Sequence, residues 1–293
     1  MLRLDHVSKT YHVGSFGRGR LTAVRDVGFE LQPGEVLSLI GESGSGKSTI
    51  GRMILRLLQP TGGSITCDGV DIAQLHGNAL KEYYRGVQGV FQDPFSSYNP
   101  IFKADRVFSL VHAEFFPEVS GDEWRERLEK ALESVALNPG DVLHKFPHQL
   151  SGGQLQRLLV ARALLLEIRY LVADEIISML DASTRIDVLN LLADLKERGL
   201  GILFITHDLS LGNYISDSTI ILRHGAVVEM GATEKVFGDP RHPYTQHLLA
   251  SVPLLHEKWS RDGAWTPTAA QSFAQGEIPS LVRVEDDHLV AAG

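Results

Sequence analysis

A single cysteine, Cys67, stands in 293 residues. One thiol cannot close an intramolecular disulfide, and it cannot supply a four-cysteine zinc or iron–sulfur site. A reducing compartment is the expectation. Long apolar runs are missing too. Leu158–Ala161 and Ala163–Leu166 are cut by Arg162 and Glu167, far short of the roughly 20 residues that span a bilayer. The opening MLRLDHVSKT lacks the apolar stretch of a secretory signal. Basic excess is absent: 28 Lys and Arg against 36 Asp and Glu leave a formal charge of −8. That sign disfavours nucleic acid, which is held by displacing counterions with cations. No fixed-period repeat or low-complexity tract is present. What remains is ordinary globular usage, 43% hydrophobic and 22% charged, enough for one large domain or two modest ones. The expectation is a soluble, cytoplasmic protein that reaches a membrane only through a partner.

The apolar pattern alternates between strand and helix. Leu2, Leu4 and Val7, then Ala23, Val27, Phe29 and Leu31, have strand spacing, with a Gly/Arg-rich loop at 12–20 between them. Val36–Ile40 reads as a buried strand. A helix follows with Ile50, Met53, Ile54, Leu57 and Leu58 on one face, ended by Pro60 and Gly62-Gly63. Residues 93–168 open with turn signals and then turn helical. Ser120 and Glu123 have capping-box spacing before the stripe Trp124, Leu128, Ala131, Leu132 and Val135. Tyr170–Asp174 and Ile202–Thr206 read as buried strands. Between them a helix over 183–198 turns Ile186, Leu189, Leu192 and Leu195 inward, and Gly199 follows its end. A hairpin is predicted around His224-Gly225. Such alternation predicts an α/β protein with a parallel sheet.

Three motifs carry chemistry. Gly41, Glu42, Ser43, Gly44, Ser45, Gly46, Lys47, Ser48 and Thr49 match G-x-x-x-x-G-K-[ST], after a strand and before a helix. Glycines let backbone N–H groups wrap phosphate oxygens, and the helix N-terminus adds positive potential. Lys47 reaches the β- and γ-phosphates and Ser48 the Mg²⁺. In Tyr170–Glu175 an apolar strand ends in two carboxylates. Asp174 suits the Mg²⁺ shell and Glu175 a general base acting on water. Leu150–Gln154 reads LSGGQ. Ser151 and Gln154 form a capping box, and Gly152 and Gly153 leave N–H groups uncovered for an anion.

In this order the three motifs resemble the ATP-binding cassette (ABC) ATPases. Further positions agree. By that resemblance Tyr11 stacks on adenine, and Gln92 in VFQDP senses γ-phosphate, metal and water beside the permease. Asp181 in SMLD lies at the dimer interface, and His207 in FITHD contacts the γ-phosphate. The residue after Glu175 is usually Pro in the family and is Ile176 here. PRHPYTQHLL at Pro240–Leu249 resembles the C-terminal extension of oligopeptide and dipeptide importer ATPases, a group that also serves nickel and oligosaccharides.

The resemblance implies a P-loop NTPase cassette over 1–258. It has a parallel-sheet core, an N-terminal antiparallel β subdomain, a helical subdomain over about 93–168 and an extension over about 236–258. Residues 259–293 form a tail of unknown role. ATP and Mg²⁺ are the implied ligands. Relatives often carry an iron–sulfur cluster, which a chain with Cys67 alone cannot build. The implied partners are a second, homologous cassette chain in a heterodimer, two transmembrane permease subunits, and an extracytoplasmic solute-binding protein reached through them. No nucleic acid is implied. The implied location is peripheral, on the cytoplasmic face of the membrane. A soluble, non-transport ABC ATPase is disfavoured, because the chain has neither a long coiled coil between the motifs nor a second cassette.

Overall fold

The computed structural model describes residues 1–13, 19–251 and 280–292. Most of the predicted 12–20 loop and the tail over 252–279 lie outside the described residues. Strands β1 (Leu2–Val13), β2 (Gly19–Leu31) and β3 (Val36–Ile40) come first. Helix α1 (Lys47–Ile54), strands β4 (Gly62–Cys67) and β5 (Val70–Asp71), helix α2 (Gly77–Gly86) and strand β6 (Val87–Val90) follow. Helices α3 (Arg106–Phe115), α4 (Gly121–Ser134), α5 (Pro139–Val142) and α6 (Gly152–Leu164) precede strand β7 (Tyr170–Asp174). Then come α7 (Ala182–Glu197), β8 (Gly201–Thr206), α8 (Leu209–Ile215), β9 (Ser218–Arg223) and β10 (Ala226–Ala232). Helices α9 (Thr233–Gly238) and α10 (Pro243–Ala250) lead to strands β11 (Leu281–Glu285) and β12 (His288–Ala291). No helix among the described residues is long and apolar enough to cross a membrane.

The chain divides into two compact units, 1–74 with 203–293, and 75–202. The first unit holds an antiparallel sheet in the order β2-β1-β4-β5. Leu2 faces Leu31 and Leu4 faces Phe29 across β1 and β2, all four buried. Further along, register shifts move the pairing, so Val24 is buried and the predicted Ala23 only half-buried. This unit also carries the strand order β11-β12-β10-β9-β3-β8. β3 and β9 are parallel, while β9, β10, β12 and β11 pair antiparallel in succession. β3 and β8 are buried along their whole length, which is why both read as unbroken apolar runs.

The second unit pairs β6 and β7 in parallel, Val87 with Tyr170 and Val90 with Ala173. Its helices include α4, capped by Ser120, whose Oγ accepts from the Glu123 N–H as the spacing predicts. Trp124 stacks on His112 at 4.7 Å and tilts against Phe116 at 5.6 Å between ring centroids.

Two predicted faces need correction. Helix α1 stops at Ile54 and Arg56 takes a positive φ of 55°, which leaves Leu57 exposed at 59%. Ile186 on α7 is also exposed, at 46%; the inward face is Val188, Leu189, Leu192 and Leu195.

The tail, to which the sequence assigns no role, returns as the β11–β12 hairpin along β10. Its anchor is Glu229, fully buried on β10. The Glu229 carboxylate accepts from His288 Nε2 at 2.8 Å, from the Arg241 N–H at 2.8 Å and from the His242 N–H at 3.0 Å. A buried carboxylate is tolerated only when its oxygens are satisfied in this way. Gly231 lets the hairpin approach: a Cβ there would lie 2.2 Å from the Asp287 carbonyl oxygen. Gly231→Ala is expected to push the hairpin off β10 and destabilise the protein by about 1–3 kcal/mol. Thermal unfolding and amide exchange over 288–291 check this, and unchanged protection would refute it.

Candidate functional site

In the first unit, β3 runs directly into the phosphate-loop motif and α1 begins at Lys47. Two of its glycines are forced by space. A Cβ on Gly41 would meet the Leu222 carbonyl oxygen at 2.2 Å, and one on Gly46, whose φ is 107°, would meet the Ala23 carbonyl oxygen at 2.3 Å. Gly44 differs: its φ of 81° requires glycine, yet nothing lies within 4 Å of a Cβ there. The loop is therefore packed from behind and open at Gly44. Lys47 is 4% exposed, and its Nζ donates to the Gly41 carbonyl at 2.7 Å and the Glu42 carbonyl at 2.9 Å. Ser45 Oγ is buried with no hydrogen-bond partner. An orphaned hydroxyl, a held ammonium and a helix N-terminus in one loop fit a polyanion.

β8, the neighbour of β3, ends directly at His207. Thr206 Oγ1 accepts from the Asp208 N–H, and Asp208 Oδ1 in turn accepts from the Ser210 and Leu211 N–H groups at the start of α8. This double turn fixes the backbone on the C-terminal side of the histidine. Tyr11 lies on β1, half-buried, with Lys9 Nζ 5.4 Å from its ring centroid.

The second unit holds the remaining predicted residues. Because Val90 pairs with Ala173 in parallel, Gln92 and Glu175 each lie two residues beyond the same rung. Asp174 is 7% exposed at the end of β7. Glu175 has a φ of 50°, rare for a residue with a side chain. Its carbonyl accepts from the Ser178 N–H at 3.1 Å and Ser178 Oγ at 2.9 Å. These bonds close the turn after β7, and Ile176 is buried at 1% within it.

Ser151 caps α6 as the spacing predicts. Its Oγ accepts from the Gln154 N–H at 3.2 Å and Gln154 Oε1 accepts from the Ser151 N–H at 2.9 Å. Gly153 also has a packing reason the sequence does not show: a Cβ would lie 2.7 Å from Thr184 Cγ2. Helix α6 is tied to the Gln92 segment. Arg162 donates to the Gly89 carbonyl at 3.0 Å, Gln156 to the Phe91 carbonyl at 3.5 Å, and Tyr98 Oη to the Leu155 carbonyl at 3.4 Å. Burial pushes the Tyr98 hydroxyl pKa up and the Arg162 pKa down. Of these three tying residues only Arg162 stands out in the sequence, and there only as a charge that interrupts an apolar run.

Asp181 is the N-cap of α7. It accepts from the Thr184 N–H at 3.0 Å, Ser183 Oγ at 2.6 Å and Thr184 Oγ1 at 2.9 Å. The Ser183 hydroxyl first, then the Thr184 N–H and hydroxyl, hold its carboxyl well below the usual carboxylate range. The sign follows. The cap contributes fully above the unfolded carboxylate pKa and is lost as pH falls below it. Asp181→Ala is expected to lower the melting temperature at neutral pH and not at strongly acid pH. An equal loss at both would reject the cap.

The ABC transporter family matches residues 24–178, more than half of the chain. The chain belongs to the ABC transporter family. A second match, to the oligopeptide/dipeptide transporter C-terminal region, covers 228–276 of this ABC ATPase. The oligopeptide transport ATP-binding protein OppF of Bacillus subtilis is 38% identical over 282 residues, 93% of this chain and 90% of that protein. OppF of Haemophilus influenzae is 36% identical over 263 residues, 89% of this chain and 77% of that one. A dimeric post-hydrolysis structure of the ATP-binding cassette MJ0796, bound to ADP and Pi, superposes with a TM-score of 0.71 at 30% identity. It covers 80% of this chain and 99% of that one. The α/β architecture and the ATPase assignment of this ABC chain are thereby shown.

Proposed function

We propose that the chain is the ATP-hydrolysing subunit that energises uptake of peptides through a partner permease. The observation that carries this is the C-terminal match at 228–276, joined to an ABC cassette. Each predicted residue takes a role its chemistry supports. The N–H groups of 41–46 and the ammonium of Lys47 hold the phosphates. Tyr11 stacks on the base, and His207 donates to the γ-phosphate. Ser48, Gln92 and Asp174 would hold Mg²⁺, oxygen donors that suit a hard cation. Bound Mg²⁺ neutralises phosphate charge. Glu175 accepts a proton from water as the water oxygen bonds to the γ-phosphorus, and the bond from that phosphorus to the bridging oxygen breaks.

Ser151–Gln154 and Asp181 serve the nucleotide on a second cassette, so the working unit is a dimer on two permease subunits at the cytoplasmic face of the membrane. We propose a heterodimer with a homologous chain, fed by a solute-binding protein on the far side. The test is the intact membrane complex with its ATPase polypeptides counted by mass. Two different cassettes are expected, and the isolated chain is expected to hydrolyse ATP slowly. Two copies of this chain would reject the heterodimer, and a fully active isolated monomer would reject the dimer requirement.

A further inference from the structure

The C-terminal hairpin, the extension and the phosphate loop of the first unit share one packed cluster. Ile40, the residue before Gly41, belongs to one buried cluster with Tyr244 of α10, Ala291 of β12, Val228 and Val236. A polar chain runs through the same region. His288 donates to Glu229, and Glu229 gathers the N–H groups of Arg241 and His242. His242 Nδ1 then accepts from the Tyr244 N–H at 3.0 Å, capping α10. Burial lowers the His242 pKa and so favours the neutral ring that this acceptor role needs. Tyr244 is 4% exposed, and its ring lies 4.9 Å beneath the Arg223 guanidinium. Its hydroxyl is buried beside Glu42 of the phosphate loop without a well-formed hydrogen bond. Burial first, then the Glu42 charge, pushes that hydroxyl's pKa up to about 12.

We infer that the 281–291 hairpin is a clamp that sets nucleotide affinity: through His288 and Glu229 it seats Tyr244 against the segment 40–42, where β3 passes into the phosphate loop, and holds that loop in its binding shape. His288, Glu229 and Tyr244 are positioning residues, since they act on the loop and not on the nucleotide. The hairpin lies beyond the 228–276 stretch that matches the oligopeptide transporter C-terminal region, so this device is additional to the matched extension. Physically, a loop that wraps a polyanion binds it better when its backbone is already ordered, because the entropy of ordering is not lost at the binding step. Removing the clamp returns that ordering cost to the binding step.

The inference rests on the phosphate-loop assignment, and the experiment separates the two. Binding of a fluorescent ATP analogue is measured on the full chain and its variants well below their melting temperatures. Loss of binding in Lys47→Ala is required by the site assignment; its persistence would overturn that assignment and the clamp with it. His288→Ala is expected to weaken binding about five- to tenfold and to speed amide exchange over 41–46. His288→Gln, which keeps a donor for Glu229, is expected to restore affinity to within about twofold. Should His288→Ala fail to fold, Tyr244→Leu carries the same test, because it keeps apolar volume and loses the contacts to Arg223 and Glu42. Variants that melt earlier yet bind the analogue and protect 41–46 as wild type would overturn the clamp, leaving the hairpin a purely structural element.

Discussion

Glu175→Gln is expected to lower ATP turnover by about 100-fold or more while nucleotide still binds. Gln keeps the size and shape of Glu and differs at the one property a base requires, since an amide oxygen does not take a proton at neutral pH. The backbone that carries the group is held independently of its carboxylate. The Glu175 carbonyl is bound twice by Ser178, and buried Ile176 pins the next residue. The substitution therefore tests chemistry and not folding. Steady-state hydrolysis by the assembled complex, read beside equilibrium binding of an ATP analogue, gives the answer. Wild-type turnover in the variant would remove Glu175 from the role of base.

Lys47→Ala should act on the other measurement. Its ammonium is the cation committed to the loop, held by the Gly41 and Glu42 carbonyls. With phosphates bound, those oxygens and the phosphate oxygens compete for the same three protons. Alanine takes the ammonium donor from the buried Gly41 carbonyl, while the Glu42 carbonyl keeps the Ser45 N–H, and it leaves the phosphates without a counter-charge. A charged hydrogen bond of about 1.5–3 kcal/mol corresponds to a roughly 10- to 100-fold weaker nucleotide Kd. Calorimetric titration with a non-hydrolysable analogue reads it. An unchanged Kd would contradict the phosphate-loop reading.

The site motifs are legible in sequence because local backbone geometry dictates them. Gly46 is glycine because its φ is positive and a carbonyl lies 2.3 Å from any Cβ; Ser151 and Gln154 announce a helix start through reciprocal bonds three residues apart. What hides is whatever depends on distant partners. Ile186 has the spacing of an inward residue, yet helical spacing alone does not choose between neighbouring faces, and the cover goes to Val188. Leu57 fails because a positive φ at Arg56 ends the helix with no glycine or proline to signal it. Glu229 is the plainest case. A carboxylate within Ala-Val-Val-Glu-Met reads as an exposed interruption, and its burial depends on distant donors, the Arg241 and His242 N–H groups and His288, 59 residues away. β11 carries mostly exposed side chains, and β12, though buried or half-buried, has only four residues, too few to show an apolar period.

The hairpin also changes what the sheet offers to other molecules. β10 is a buried apolar strand, and its unpaired backbone would be a template for any extended segment. With β12 and β11 beside it, the outermost strand among the described residues is β11. That strand bears Arg283 and Glu285, with an irregularity in its register between them. Charge and irregularity at a rim discourage strand-to-strand adhesion. A chain cut short before Leu281 would present β10 bare, and the consequence is self-association: such a truncation should precipitate at concentrations where the whole protein stays dispersed.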